Sequence, residues 1–138
     1  MSAIDLAVGR LKTDEGFRAV KYTDTTGHET IGYGFNVDAG ISQYAAAQLL
    51  TAQTTELATD LRAYSWFVGL DDVRASVLCE LAFNLGLSGL LHFPAMLSAI
   101  GASNWQGAHD ELLNSTAAKQ LPARYSMLAN LLLNGGSS

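Results

Sequence analysis

The sequence is poor in the features that would settle its class at once. It has a single cysteine, Cys79, so no internal disulfide can form. Cys79 sits in an apolar helical run, which reads as a structural thiol and not as a nucleophile. Two prolines leave long stretches free to be helical. Charged residues make up only 15% of the chain and basic residues are outnumbered, 8 to 13, giving a net charge of -5. Without a basic patch to displace counterions, the chain is not a nucleic-acid binder. No apolar run reaches the roughly 18 residues of a membrane span. The N-terminus, MSAIDLAVGRLK, has no basic segment followed by an apolar core, so no export signal is expected. His28, His92 and His109 are scattered without acidic or cysteine partners at ligand spacing, so neither a metal site nor a cofactor is expected.

The chain is instead rich in apolar residues, 49% of 138, enough for one compact domain burying about two thirds of its unfolded surface. Its densest stretch runs from Asp14 to Asn36, DEGFRAVKYTDTTGHETIGYGFN. A helical pattern of Ile4, Val8 and Leu11 leads to Glu15 and is stopped by Gly16. Glu15 then sits at the negative pole of a helix dipole, which disfavours a carboxylate, the direction a general acid requires. Ala19 to Tyr22 reads as a strand, Thr25-Thr26-Gly27-His28 as a turn and Thr30 to Phe35 as a returning strand, with Asp24 at the shoulder. Alternation places Thr30, Gly32 and Gly34 on one face and Ile31, Tyr33 and Phe35 on the other. The nearly bare face suits a flat polar ligand, such as a sugar, that approaches the backbone closely. Taken singly, Glu15 reads as a solvated helix end and Asp24 as a turn former. Together, two carboxylates joined by this hairpin match what glycoside hydrolysis needs: an acid for the leaving oxygen and a base for water.

Downstream, Ser42 caps a helix expected to run to Ala63, and Asp71 or Asp72 caps the most apolar helix, with Val73, Val77, Leu78, Leu81, Ala82 and Leu85 inward and Gly86 ending it. Ser88 to His92 reads as a helical turn and Pro94 opens a helix to Ile100. Asn104 caps a helix from Trp105 to about Leu113, with Trp105 an anchor between helices. Ser115 to Leu121 reads as polar and irregular, Pro122 opens a last helix to about Asn134, and Gly135-Gly136-Ser137-Ser138 reads as a disordered tail.

Glu15-Gly16, Tyr22-Thr23-Asp24 and Gly27-His28-Glu29-Thr30-Ile31-Gly32-Tyr33-Gly34 together resemble the signature of the phage-type lysozymes, or endolysins, of glycoside hydrolase family 24. Every spacing is kept. The resemblance runs from about Leu11 to Arg124 and is strongest in the hairpin. It implies a mainly helical α+β fold with a small N-terminal hairpin lobe of about 12–60. A long helix joins this to a larger helical lobe of about 61–134 that also takes in the N-terminal helix, leaving a cleft between the two. It implies a muramidase that hydrolyses the β-1,4 bond between N-acetylmuramic acid and N-acetylglucosamine in peptidoglycan, with inversion, for phage-mediated cell lysis. Glu15 is then the general acid, with Asp24 and Thr30 positioning and activating water. Inversion places the two carboxyl groups about 6.5–9.5 Å apart. Gly34 and Asn36 would contact substrate. Ala82-Phe83-Asn84-Leu85-Gly86 is similar to the segment that floors the family's cleft: Phe83 would stack on a sugar and Asn84 bond to it, the plainer reading being a core Phe83 and a helix-terminal Asn84. Gln120, Pro122 and Arg124 resemble a family pattern whose Arg reaches the acid. The implied protein is a monomer whose partner is the glycan strand, held in the host cytoplasm until the membrane is breached. Departures are Phe35 where the family often has His, Ala117 where it often has Trp, and a negative charge where many members are basic. The rival readings are a lytic transglycosylase on the same bond and an inactive wall-binding module.

Overall fold

The structure, a computed structural model, describes residues 1–136. In chain order it comprises α1 (Ala3–Glu15), β1 (Arg18–Thr23), β2 (Glu29–Gly32), β3 (Phe35–Asn36), α2 (Gln43–Leu61), α3 (Asp72–Leu91), α4 (Pro94–Gly101), α5 (Trp105–Leu113), α6 (Thr116–Gln120) and α7 (Pro122–Asn134). This is the mainly helical α+β fold that the family resemblance implies. Its contacts fall into two compact units, Met1–Gln48 and Leu49–Ser138, and the division lies within α2.

The first unit is held by local chemistry. Ser2 and Asp5 form a capping box at the start of α1, with Asp5 N–H donating to Ser2 Oγ at 3.1 Å and Ser2 N–H to Asp5 Oδ2 at 3.0 Å. α1 buries no residue. It ends where expected: Gly16, at φ 69°, turns the chain while its N–H still donates to Lys12 O. The strands form an antiparallel sheet of order β1-β2-β3. The four steps from Arg18 to Tyr22 in β1 face only two in β2, a bulge that brings the Arg18 guanidinium over the Tyr22 ring at 4.3 Å. The returning strand is not the single element that alternation predicts. Gly32 and Gly34 adopt φ of 68° and 76°, the chain reverses at Tyr33-Gly34, and β3 pairs back on β2 through Thr30 with Asn36 and Ile31 with Phe35. Two glycines flanking one residue supply the positive-φ backbone that a reversal needs, so the expected face of Thr30, Gly32 and Gly34 ends at Gly32.

The second unit holds the apolar core. Tyr125, Leu128, Ala129 and Leu132 recur at helical spacing on α7, against α3, α5 and α6. Ala108 of α5 and Ala129 of α7 are both fully buried, small residues that suit close approach of two helix axes. Val77, Leu78, Leu81 and Ala82 of α3, Met96, Leu97 and Ile100 of α4, and Leu112 of α5 complete the packing. By length and mean hydropathy, 1.2, α3 would pass for a membrane helix, which corrects the expectation that no segment would. Val77, Leu78, Leu81, Ala82 and Leu90 are nevertheless core residues, and Gly86, at φ 75°, kinks the helix where the sequence predicts an end. Cys79 is half-buried, and burial pushes its thiol up, away from the reactive thiolate. The Ser115 to Leu121 stretch is not irregular: Ser115 Oγ accepts from Ala118 N–H at 3.1 Å and caps the short helix α6, whose Ala118 is buried.

One polar cluster ties α3 to the end of α7. Asp71 caps α3 through Arg74 N–H at 3.1 Å and also accepts Gly136 N–H at 2.8 Å. Arg74 donates to Leu132 O at 2.7 Å and Leu133 O at 2.9 Å, two carbonyls of the last turn of α7 that no intrahelical donor can reach. Its guanidinium stacks on the Trp105 ring at 3.7 Å, so Trp105 is an anchor between helices as expected. Gly135 packs on that guanidinium in a space that no larger residue would leave. The expected disordered tail is therefore bonded at Gly135 and Gly136, while Ser137 and Ser138 lie outside the described residues. Burial presses against the Asp71 charge, but the N–H groups of Arg74 and Gly136 and the Arg74 guanidinium more than offset it, so the carboxyl titrates below its ordinary range. A carboxyl lowered by folding stabilises above its unfolded pKa and loses that contribution as pH falls. Asp71→Ala should lower stability at pH 7 by about 2 kcal/mol, a lost cap plus a half-buried guanidinium left short of an acceptor. In urea titrations the deficit should shrink below about pH 4. Ser103, at φ 55°, occupies the left-handed position of a Schellman motif in which Asn104 N–H reaches Ala99 O at 2.8 Å and Ser103 N–H reaches Ile100 O at 3.0 Å. Glycine suits that position better, so Ser103→Gly should raise stability by about 0.5–1 kcal/mol, read as a higher melting temperature.

Candidate active site

Glu15, Asp24, Thr30, Gly34 and Asn36 lie in the first unit. Phe83, Asn84 and Arg124 belong to the second. Glu15 is the last residue of α1, and its side chain lies on the Tyr33-Gly34 turn. A methyl group at Gly34 would stand 2.5 Å from Glu15 Oε2 and 2.7 Å from Cδ, closer than van der Waals contact allows. The bare backbone of Gly34 is thus where the Glu15 carboxylate is seated. Tyr33 secures the same junction: its ring meets Phe17 at 5.6 Å between centroids and lies 5.9 Å from Lys12 Nζ.

Asp24 is built into the turn that joins β1 and β2. Its Oδ1 accepts Thr26 N–H at 2.9 Å, Thr26 Oγ1–H at 2.8 Å and His28 N–H at 2.8 Å, while its own N–H donates to His28 O. The bonds from His28 N–H and from the Thr26 hydroxyl hold its carboxyl below the usual carboxylate range. Asp24 is therefore both an acid in the right stretch and a turn former. Oδ2 lies 3.8 Å from His28 Nδ1. Thr30 is 3% exposed and pairs with Tyr22 and Asn36 in the sheet. Its hydroxyl donates to His28 O at 3.1 Å, so toward any further molecule its oxygen can only accept.

Asn36 is exposed, and its Oδ1 accepts the N–H groups of Asp38 and Ala39, closing the turn after β3. In the second unit Phe83 is 44% exposed, so it is a surface ring and not a core residue, with Asn84 exposed beside it at the end of the buried part of α3. Arg124 is exposed in the first turn of α7. Among the described residues no three His, Cys, Asp or Glu side chains gather as metal ligands would. Sequence reasoning missed Thr26, His28, Lys12 and Tyr33. For Thr26 and His28 the signal was present: an Asp that opens a turn bonds the backbone N–H two residues on. For Lys12 and Tyr33 there was none, because their contact depends on where the turn lies against the end of the helix.

The chain is 24% identical to the pre-baseplate central spike protein Gp5 of Enterobacteria phage T4 across 91% of its own length, and spans only 27% of that protein. It is 24% identical to "Probable T4-type lysozyme 1" of Dictyostelium discoideum, covering 91% of this chain and 92% of the relative. With the endolysin of Salmonella phage P22 it shares 32% identity over 77% of each chain. The profile of the phage lysozyme family matches residues 12–126, which takes in the Glu15 helix end, the whole sheet and α7 as far as Arg124, and the chain belongs to that family.

Proposed function

We propose that the protein is a muramidase: it hydrolyses the β-1,4 bond between N-acetylmuramic acid and N-acetylglucosamine in bacterial peptidoglycan, with inversion, in phage-mediated lysis. The observation that carries this reading is the seat of Glu15 on Gly34, which fixes an acid at a helix terminus beside a backbone bare of side chains. Glu15 donates its proton to the glycosidic oxygen as the bond to the sugar breaks. On the opposite face a water is held by two acceptors, the Thr30 hydroxyl oxygen and Asp24. Each takes one water proton, which turns an oxygen lone pair toward the anomeric carbon, and Asp24 takes up the proton released on attack. Phe83 offers an exposed ring for stacking on a sugar, with Asn84 a hydrogen-bonding neighbour. The enzyme needs no cofactor and waits in the host cytoplasm for a lesion in the membrane. It works as a monomer.

One observation favours a second reading. Three of the hydrogen bonds that Asp24 accepts belong to its turn. If the turn is its whole task, Glu15 acts alone and the protein is a lytic transglycosylase, which closes the muramic acid on itself and consumes no water.

Mass spectrometry of digested peptidoglycan separates the two: reducing muramic ends are expected, and abundant anhydromuramic ends would overturn hydrolysis. Glu15→Gln should abolish the clearing of permeabilised Gram-negative cells while leaving the circular dichroism unchanged. Equal lysis from both proteins would defeat the role of Glu15, and lysis from neither would leave a wall-binding module. Asp24→Ala should cut turnover at least about a hundredfold. Gly34→Ala should displace the Glu15 carboxylate and cost about a hundredfold in turnover, because an added methyl cannot share its seat. Retention of wild-type activity there would mean that Glu15 works from another position.

A further inference from the structure

The Asp24 turn treats the two carboxylate oxygens differently. Three donors converge on Oδ1, all from within four residues: Thr26 N–H, Thr26 Oγ1–H and His28 N–H. That fills the oxygen, which offers about two lone pairs. Among the described residues Oδ2 accepts no hydrogen bond, and the His28 ring Nδ1 lies 3.8 Å from it. The Thr26 hydroxyl has one proton, and Asp24 takes it. The 2.8 Å contact between Thr26 Oγ1 and His28 Nδ1 must then run from the ring N–H to the hydroxyl oxygen. A directed chain results, from His28 to Thr26 to Asp24, in which each member fixes the next. The other charged groups on the flanking strands have partners elsewhere: Lys21 Nζ lies 3.6 Å from Glu29 Oε2, Glu29 Oε1 accepts the Thr23 hydroxyl at 3.1 Å, and the Arg18 guanidinium lies over the Tyr22 ring. They leave the turn to its own donors.

We propose that Thr26 and His28 are positioning residues for hydrolysis, pinning Asp24 by Oδ1 so that Oδ2 alone meets the attacking water. The proposal rests on the reading of Asp24 as the water-holding carboxylate. A carboxylate free to rotate would offer water two equivalent oxygens and no fixed line of attack. One held by three donors offers a single oxygen in a fixed place, the pre-organisation that proximity catalysis needs. The turn that favours the lone-acid reading is, on this view, part of the catalytic apparatus.

The test is steady-state kinetics on solubilised peptidoglycan strands with the full chain. Thr26→Val keeps the side-chain shape and removes the hydroxyl, and should lower kcat about tenfold or more with KM within about twofold. Thr26→Ser restores the hydroxyl and should recover kcat to within about threefold. His28→Ala leaves every bond to Asp24 intact and should cost less than Thr26→Val. In the Asp24→Ala background Thr26→Val should add nothing, a coupling that a merely structural role would not produce. The proposal is overturned if Thr26→Val turns over like wild type, or if Thr26→Ser falls as far as Thr26→Val. It is overturned too if Asp24→Ala is itself fully active, but then it is the role of Asp24 that has failed. Inactive Asp24→Ala beside unaffected Thr26→Val condemns the pinning alone. Should Thr26→Val fail to fold, by circular dichroism, the comparison of Thr26→Ser and His28→Ala with wild type carries the same decision: kcat at wild-type level for Thr26→Ser with a measurable fall for His28→Ala supports the chain, and the reverse order sinks it.

Discussion

Close approach between a carboxylate and a bare stretch of backbone governs the first unit. The Glu15 side chain lies where a Cβ on residue 34 would be, so any larger residue there would have to displace the carboxylate. Around that contact the other features fall into place. Gly16 must release the helix at once, and the Tyr33-Gly34 reversal must bring the turn back to it. Lys12 and Phe17 gather on Tyr33. None of these contributes much alone. Surface aromatic and cation–π contacts are worth about 1 kcal/mol each, yet together they hold the Tyr33-Gly34 turn against the end of α1.

The two units are stabilised by different physics. The first has little apolar interior. Thr30, a polar residue, is buried in its sheet, and order comes from capping boxes, bulges and side chains that bond their own turns. The second is an ordinary helical core in which Leu and Val side chains each contribute about 1.5–3 kcal/mol by leaving water. The polar hairpin of the first unit is thus ordered without competing for the packing that holds the second.

Much of this could be read from residue order. Helix starts at Ser42, Asp71, Pro94, Asn104 and Pro122 were legible because a capping side chain or a fixed φ acts locally, and the same holds for the end of α1 at Gly16. The Asp24 turn was legible too, though not the number of its bonds. What failed was the reading of Thr30 to Phe35 as one strand. Period-two alternation says which way side chains point only while the backbone stays extended, and two glycines at positive φ break that condition without changing the pattern of letters. The short helix α6 escaped because five residues are too few to show a period. Phe83 was ambiguous for a different reason: a single aromatic at the end of an apolar helix carries no mark of whether anything covers it, and only the structure shows it exposed.

The Asp71 and Arg74 cluster joins residues 58 to 65 positions apart. A terminal helix ordinarily frays, its last carbonyls exchanging partners with solvent. Here those carbonyls are held by a side chain from another helix, so the last turn of α7 cannot open until α3 lets go. Amide protons of that last turn and of the start of α3 should therefore exchange together in one sub-global opening, rather than the end of the helix loosening first.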